Sequence, residues 1–598
     1  MNTLYADMDK RKKIGIRLLL KTIVYAFAVF GVVFILILLG VLSIISPRSG
    51  VAVIPDSAVL NINFDDNYAE VRSDDFFAEF ADKSVYSVFD LVRAINTAAD
   101  DDRIKAISAT VNMSPLGLAQ MQDVARALAY FKSKGKEAHI FSNTMGSFGQ
   151  GTKEYYLATY FDEIWLQAGG DIGMTGVNIE VPFFKGVLNK IGVEPEFYTR
   201  HEYKTAVASL VNKGFTPAYK EELSKLGSGL FNQLVEGIAE NRHLSTERVK
   251  NLIDKAPIFA GDALETGLID KIGYKQEMTS FLERRYQAKS ISIKDYMSTI
   301  NDYEQDNIPL VAMLVLDGAI DNGTSTNTPI REAVIGSETV VAQLKELSNY
   351  KNIKALIVRI NSPGGSYVAS EEIWYALNRF KKWKSVPVVV SMGDYAASGG
   401  YFVAIAGDYI VAEPATVTGS VGVLGGKMVL ADLWKKLDIG WGEIKYGKNS
   451  GILSANHKFS ASEKAVFNRS LDNVYKDFTG KVAKARNLSD EQIDKLARGR
   501  VWLGQDAVKA GLVDEIGGFE LALQKAKELA GIKQDDTFGM MYYPRRPNLQ
   551  EKLSRYLESG GGLPAMQIME KSGLLPEEFD LLFRLKHDAI LPPFKLTM

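Results

Sequence analysis

Apolar positions along the chain follow two regimes. From residue 22 to residue 46 nothing is charged, and most positions are Val, Ile, Leu, Phe or Ala. As a helix rising about 1.5 Å per residue, this run spans roughly 37 Å. That exceeds the ~30 Å hydrocarbon core of a bilayer, so one tilted transmembrane helix is expected over 22–46. The run is apolar on every face, unlike a half-buried helix of a globular core. After it, apolar residues come in short bursts between polar and glycine-rich stretches. Residues 355–360 (ALIVRI) are rich in branched side chains and are soon followed by Pro363 and Gly364, the signature of a buried strand. Residues 371–382 carry apolar positions at helical spacing, 386–390 predict another strand, and 398–406 a buried helix with a glycine-rich start. Strand and helix in alternation predict α/β layers around a largely parallel sheet.

The same pattern is written twice. Ile104-Lys105-Ala106 recurs as Ile353-Lys354-Ala355, an offset of 249; YYLATYFDEI at 155–164 recurs as YFVAIAGDYI at 401–410, an offset of 246; and Gly267-Leu268-Ile269-Asp270 recurs as Gly511-Leu512-Val513-Asp514, an offset of 244. The order is kept and the offset drifts by a few residues, as in a tandem duplication. The organisation expected is a basic N-terminus (1–21), the membrane span (22–46), a first α/β repeat (55–300), a second (308–540) and a tail (543–598) to which the pattern assigns no fold. Residues 274–307 read as connector and helix.

Charge sets the orientation of the span. Lys10, Arg11, Lys12, Lys13, Arg17 and Lys21 precede it and Pro47-Arg48 follow, which places the N-terminus in the cytoplasm and the body on the far side. The competing reading is a cleaved signal peptide, but the run is longer than an ordinary signal core and no clean small-x-small cleavage site follows. For the rest, composition excludes. The 598 residues carry a net charge of only −2, which gives no electrostatic reason to expect nucleic acid. There is no cysteine, hence no disulfide framework and no thiolate chemistry. The five histidines (His139, His201, His243, His457, His587) show no metal-site spacing, so no metal and no cofactor is expected.

Two stretches of the second repeat carry candidate chemistry. Asn361-Ser362-Pro363-Gly364-Gly365 follows the predicted strand directly. Its glycines let the backbone come close to a ligand and aim N–H groups at a developing oxyanion. In Gly393-Asp394-Tyr395-Ala396-Ala397-Ser398-Gly399-Gly400-Tyr401 small residues crowd one serine at the start of an apolar helix, where free N–H groups and the positive dipole end lie. Each has a plainer reading, Pro-Gly-Gly as a tight turn and Ser398 as a helix cap. Their combination in one α/β unit is the specific feature.

That combination resembles the signal peptide peptidase A (protease IV) family, within the wider Clp protease and crotonase fold group. The resemblance covers most of residues 55–540, and the duplication matches the long form of the family. It implies tandem Clp/crotonase-like domains after an N-terminal transmembrane helix. It also implies a membrane-bound serine endopeptidase of the bacterial inner membrane, with a periplasmic body that degrades remnant signal peptides as a homotetramer. The nucleophile falls on Ser398. The general base falls on Lys204, in His201-Glu202-Tyr203-Lys204-Thr205-Ala206. Gly364, Gly365 and Gly399 become the expected oxyanion donors.

The repeat gives this pairing a meaning. Lys204 aligns with Ser450, and Ser398 with Thr152 or a neighbour from Gly149 onward, so each half holds one member of the pair. Such a split makes chemical sense only if the halves face each other, within a chain or between chains. A lysine that accepts a proton must be largely neutral, far below its ordinary pKa of about 10.4, so a desolvated site and an alkaline-leaning pH profile are expected. Rivals for the base are Lys448, two positions from Ser450, and His457 in a Ser-His arrangement; Thr152 is a candidate second nucleophile. Rival functions are a crotonase-like acyl-CoA enzyme and a non-catalytic scaffold.

Overall fold

The structure is a computed structural model. It describes residues 53–71, 85–146, 149–300, 308–328, 331–533, 536–545 and 595–597. The expected membrane span at 22–46, the basic N-terminus and nearly all of the tail lie outside the described residues. Among the described residues no helix is long and apolar enough to cross a membrane.

The chain builds two parallel sheets of matching plan. The first runs, edge to edge, Lys271–Ile272, Glu163–Leu166, Glu137–Ser142, Ile104–Thr110, Ala58–Asn63 and Lys289–Ser292. In the second, Glu515–Ile516, Tyr409–Ala412, Val388–Ala397, Ile353–Ser362, Leu310–Asp317 and Gly539–Tyr543 take the same places. Their inner strands read as near-continuous apolar runs because helices cover both faces. In Ile353–Ser362 eight of ten residues are buried. The stretch read as connector contributes an element: Lys289–Ser292 pairs with Ala58–Asn61 and closes the first sheet, as Gly539–Tyr543 closes the second. Its sequence, KSIS, is too short and polar to announce a strand. The C-terminal residues Lys595–Thr597 pair antiparallel with Asn178–Glu180.

Val388–Ala397 is twice as long as its sequence pattern predicts. It pairs first with Tyr409–Val411 and then, past Met392, with Val417–Gly419. That extension carries the chain straight into Ser398.

Both sheets lie in one compact unit that begins at Ile54, and the halves are fastened in three ways. Glu194–Thr199 of the first pairs antiparallel, over six residues, with Leu424–Val429 of the second. The carboxylate of Asp394 accepts from the backbone N–H groups of Ala119 and Gln120 (3.0 and 3.4 Å) and caps the helix Leu118–Ser133. Between them Arg359, buried, pairs with Glu70 through two 3.0 Å bonds and with Asp123 at 3.0 Å. A guanidinium suits this place because its planar fork matches carboxylates and it stays charged when buried.

Candidate active site

Ser398 sits at the joint between the strand Val388–Ala397 and the helix Gly399–Ala404. Its backbone has φ 54° and ψ −115°, a region that L-residues avoid and that structures hold only where the surroundings enforce it. The enforcement is visible: Ser398 N–H donates to the Gly419 carbonyl (2.9 Å), and Phe402 N–H donates to the Ser398 carbonyl (2.9 Å). Gly364, at φ +111°, packs against this joint, and a Cβ on it would lie 2.7 Å from the Ser398 Cβ and 2.8 Å from the Gly399 nitrogen. Only glycine fits there.

Lys204 arrives from the first half. The 203–205 turn lies against residues 498–500, with Tyr203 N–H donating to the Arg498 carbonyl (3.2 Å). Gly499, at φ +86°, leaves so little room that a Cβ would stand 2.4 Å from the Lys204 nitrogen. The Lys204 Nζ donates to Ser398 Oγ at 2.8 Å, and to the carbonyl and Oγ of Ser420 at 3.0 Å each. Burial lowers the Lys204 pKa to about 8, and the nearby Glu222 carboxylate opposes that shift. An amine at this pKa is substantially neutral at mildly alkaline pH, and so can take a proton from the hydroxyl it touches.

The expected oxyanion donors differ in their engagement. Gly364 N–H donates to Ser362 Oγ (3.2 Å) and is already used. Gly365 N–H has no acceptor among the described residues. Gly399 N–H opens its helix and has no intrahelical acceptor. These two glycines adjoin, since a Cβ on Gly399 would lie 3.1 Å from the Gly365 nitrogen.

The rivals stand elsewhere. Lys448 and Ser450 are exposed on the second half, where Ser450 Oγ donates to the Gly447 carbonyl. His457 is engaged with the Lys458 carbonyl (2.8 Å) and Lys445 Nζ (3.1 Å). Thr152 is fully buried, its hydroxyl donating to the Gly176 carbonyl (3.1 Å) and accepting from Gly176 N–H (3.0 Å). Beside it Lys153 Nζ donates to the carbonyls of Ser114 and Leu116 (2.6 and 2.7 Å), so an ammonium fills that turn of the first half.

Two neighbours of the site were not singled out by sequence. Ser420, in Val417-Thr418-Gly419-Ser420-Val421-Gly422, stands at φ +52°. Its small-residue context, like that around Ser398, was the available signal. Glu222 lies in the second turn of the helix Pro217–Asn241, at a position that reads as ordinary amphipathic surface. Among the described residues no cluster of carboxylates and histidines is arranged to hold a metal.

Comparison with known proteins gives the class. The sequence model of peptidase family S49 matches residues 131–289 and again 380–533, one match in each half. The chain is 30% identical over 530 residues to Protease 4 of Haemophilus influenzae, covering 84% of each. The chain belongs to peptidase family S49. A Clp protease model also matches residues 325–416. Protease 4 of Salmonella typhi is 30% identical over 77% of this chain and 75% of its own. The chloroplastic serine protease SPPA of Arabidopsis thaliana is 30% identical over 73% and 64%. As an S49 enzyme the protein is a serine protease with a duplicated S49 region, and neither an acyl-CoA enzyme nor an inert scaffold.

Proposed function

We propose that this S49 peptidase cleaves peptide bonds with Ser398 as nucleophile and Lys204 as its general base. The observation that carries the reading is the 2.8 Å contact between Lys204 Nζ and Ser398 Oγ, made in a buried site where the lysine loses its proton readily. Neutral Lys204 accepts the Ser398 proton as Oγ attacks the scissile carbonyl. The oxyanion is held by the N–H groups of Gly365 and Gly399, with Gly364 clearing the space in front of the serine. The Lys204 ammonium returns the proton to the leaving amine. Water, deprotonated by the same lysine, then hydrolyses the acyl-enzyme. Ser420, accepting from Nζ through both its oxygens, aims the amine at Ser398.

The substrates fitting this reading are remnant signal peptides cut beside small or apolar residues. The uncharged run at 22–46 would hold the body on the periplasmic side of a bacterial inner membrane, and four copies would enclose the sites. The test compares the wild-type chain with Ser398→Ala, Lys204→Ala, Lys448→Ala and His457→Ala on an apolar peptide amide and on a labelled signal peptide in vesicles. Loss of turnover is expected for the first two alone. Turnover by Ser398→Ala, or its loss in His457→Ala with Lys204→Ala active, overturns the assignment. An active chain that degrades the soluble amide but not the membrane-held signal peptide overturns the substrate.

A further inference from the structure

Glu222 is a carboxylate only 2% exposed on the helix Pro217–Asn241 of the first half. Its neighbour Glu221 faces outward, paired with Arg500 (2.7 Å) and accepting from the Tyr203 hydroxyl (2.8 Å). Glu222 turns inward instead. One oxygen accepts from the hydroxyl of Thr205, the residue after Lys204, at 2.9 Å. The other accepts from the backbone N–H of Val501 in the second half, at 2.9 Å. Two residues before Val501 lies Gly499, the glycine pressed against the Lys204 backbone. Arg500, between them, accepts through its carbonyl from Ser420 N–H at 2.8 Å. One side chain thus ties the turn that carries the lysine to the segment that positions Ser420.

We propose that Glu222 is the positioning residue for Lys204: it fastens the 203–205 turn of one half to the 498–501 segment of the other and supplies the negative charge that faces the lysine. The proposal rests on the Ser398–Lys204 reading and deepens it. A buried carboxylate is stable only when its oxygens are hydrogen-bonded, and both oxygens here are. The groups facing it are Lys204 in the same half, Arg500 across the joint, Tyr219 and Lys225 on its own helix, and Asp506 at the rim of the small recess behind it. Burial pushes Glu222 up to about 7, against the hydrogen bonds from Val501 and Thr205 and the charges of Arg500 and Lys204. Glu222 is the charge that acts on Lys204, holding its proton against desolvation. Base and positioner therefore titrate close together.

The decisive measurement is the pH profile of kcat/KM for the full-length chain. Glu222→Gln removes the charge and keeps the shape, its amide still able to accept from Val501 and donate to Thr205. With no carboxylate opposing deprotonation, the acid limb should move down by about one pH unit. Thr205→Val deletes one strand of the clasp and one of the bonds that keep Glu222 ionised; kcat should fall about tenfold, and the limb should move down by less than in Glu222→Gln. Should Glu222→Gln not accumulate as folded protein, Glu222→Asp keeps the charge and shortens the reach; its limb should stay within about half a unit of wild type while kcat falls. An unmoved limb in Glu222→Gln overturns the proposal, as does a wild-type kcat in Thr205→Val. A Glu222→Asp variant with wild-type kcat overturns it too. If the wild-type limb persists in Lys204→Ala, the base assignment has failed instead; if it vanishes there yet ignores Glu222→Gln, only the role of Glu222 falls.

Discussion

Replacing Lys204 by arginine separates a proton acceptor from a hydrogen-bond donor. With its pKa lowered to about 8, Lys204 is half neutral at pH 8, whereas a lysine at its ordinary value would be neutral in roughly one molecule in 250. Burial therefore raises the population of the reactive base by about two orders of magnitude. Arginine can still reach Ser398 Oγ with an N–H but stays charged at any pH the protein survives. The general base is worth about 10²–10⁴ in rate, so Lys204→Arg should lose about 10³-fold in kcat/KM. The assay is hydrolysis of an apolar peptide amide between pH 6 and pH 10. The wild type should climb with unit slope to a plateau above about pH 8 and show about one-hundredth of the plateau at pH 6. An arginine variant within tenfold of wild type, or a wild-type profile flat across that range, refutes the reasoning.

Three further outcomes follow from the same geometry. Lys204→Met should kill turnover yet stabilise the fold. The native lysine holds its proton more weakly than the unfolded one, so the unfolded state binds more protons between pH 8 and 10.5; the variant's advantage should be about 3 kcal/mol below pH 8 and fade as pH rises toward 10.5 in urea titrations. Gly364→Ala puts a methyl 2.7 Å from the Ser398 Cβ in a backbone conformation that disfavours side chains; turnover should fall at least a hundredfold while circular dichroism stays native. Arg359→Met leaves Glu70 and Asp123 buried without their countercharge, which should cost about 3–5 kcal/mol, read as a lowered Tm and a lowered urea midpoint.

The duplication was legible because the residues that repeat do the same structural work in each half. Tyr155 and Tyr401 each donate a hydroxyl to a backbone carbonyl, Leu268 and Leu512, at 2.8 Å. Asp162 and Asp408 each accept from a strand N–H at 2.9 Å. Asp270 and Asp514 pair with Arg242 and Arg486 at 2.9 and 2.6 Å. A side chain that bonds a particular backbone group or a particular arginine has few substitutes, so these positions stayed recognisable while the apolar core drifted. The same register puts the left-handed residues His201 and Gly447 at an offset of 246, which supports setting Ser450 opposite Lys204. Ser420 and Glu222 escaped notice because their partners lie 216 and 279 residues away. No local pattern encodes a contact of that span. The strand Lys289–Ser292 escaped because pairing to Ala58–Asn61, not propensity, makes it a strand.

Gly499 presses on the backbone of Lys204, and if Lys204 is the general base, as proposed, this sets when the protein can act. A chain made from the N-terminus presents its lysine early, its serine nearly two hundred residues later, and the segment that holds the lysine in place later still. On the Ser398–Lys204 reading, the site of the emerging polypeptide stays incomplete until residues 498–501 have been made. While its own strands are still unpaired and open to cleavage, the molecule has nothing to cut them with. On that reading, order of synthesis would do the work that a removable pro-segment does in other proteases.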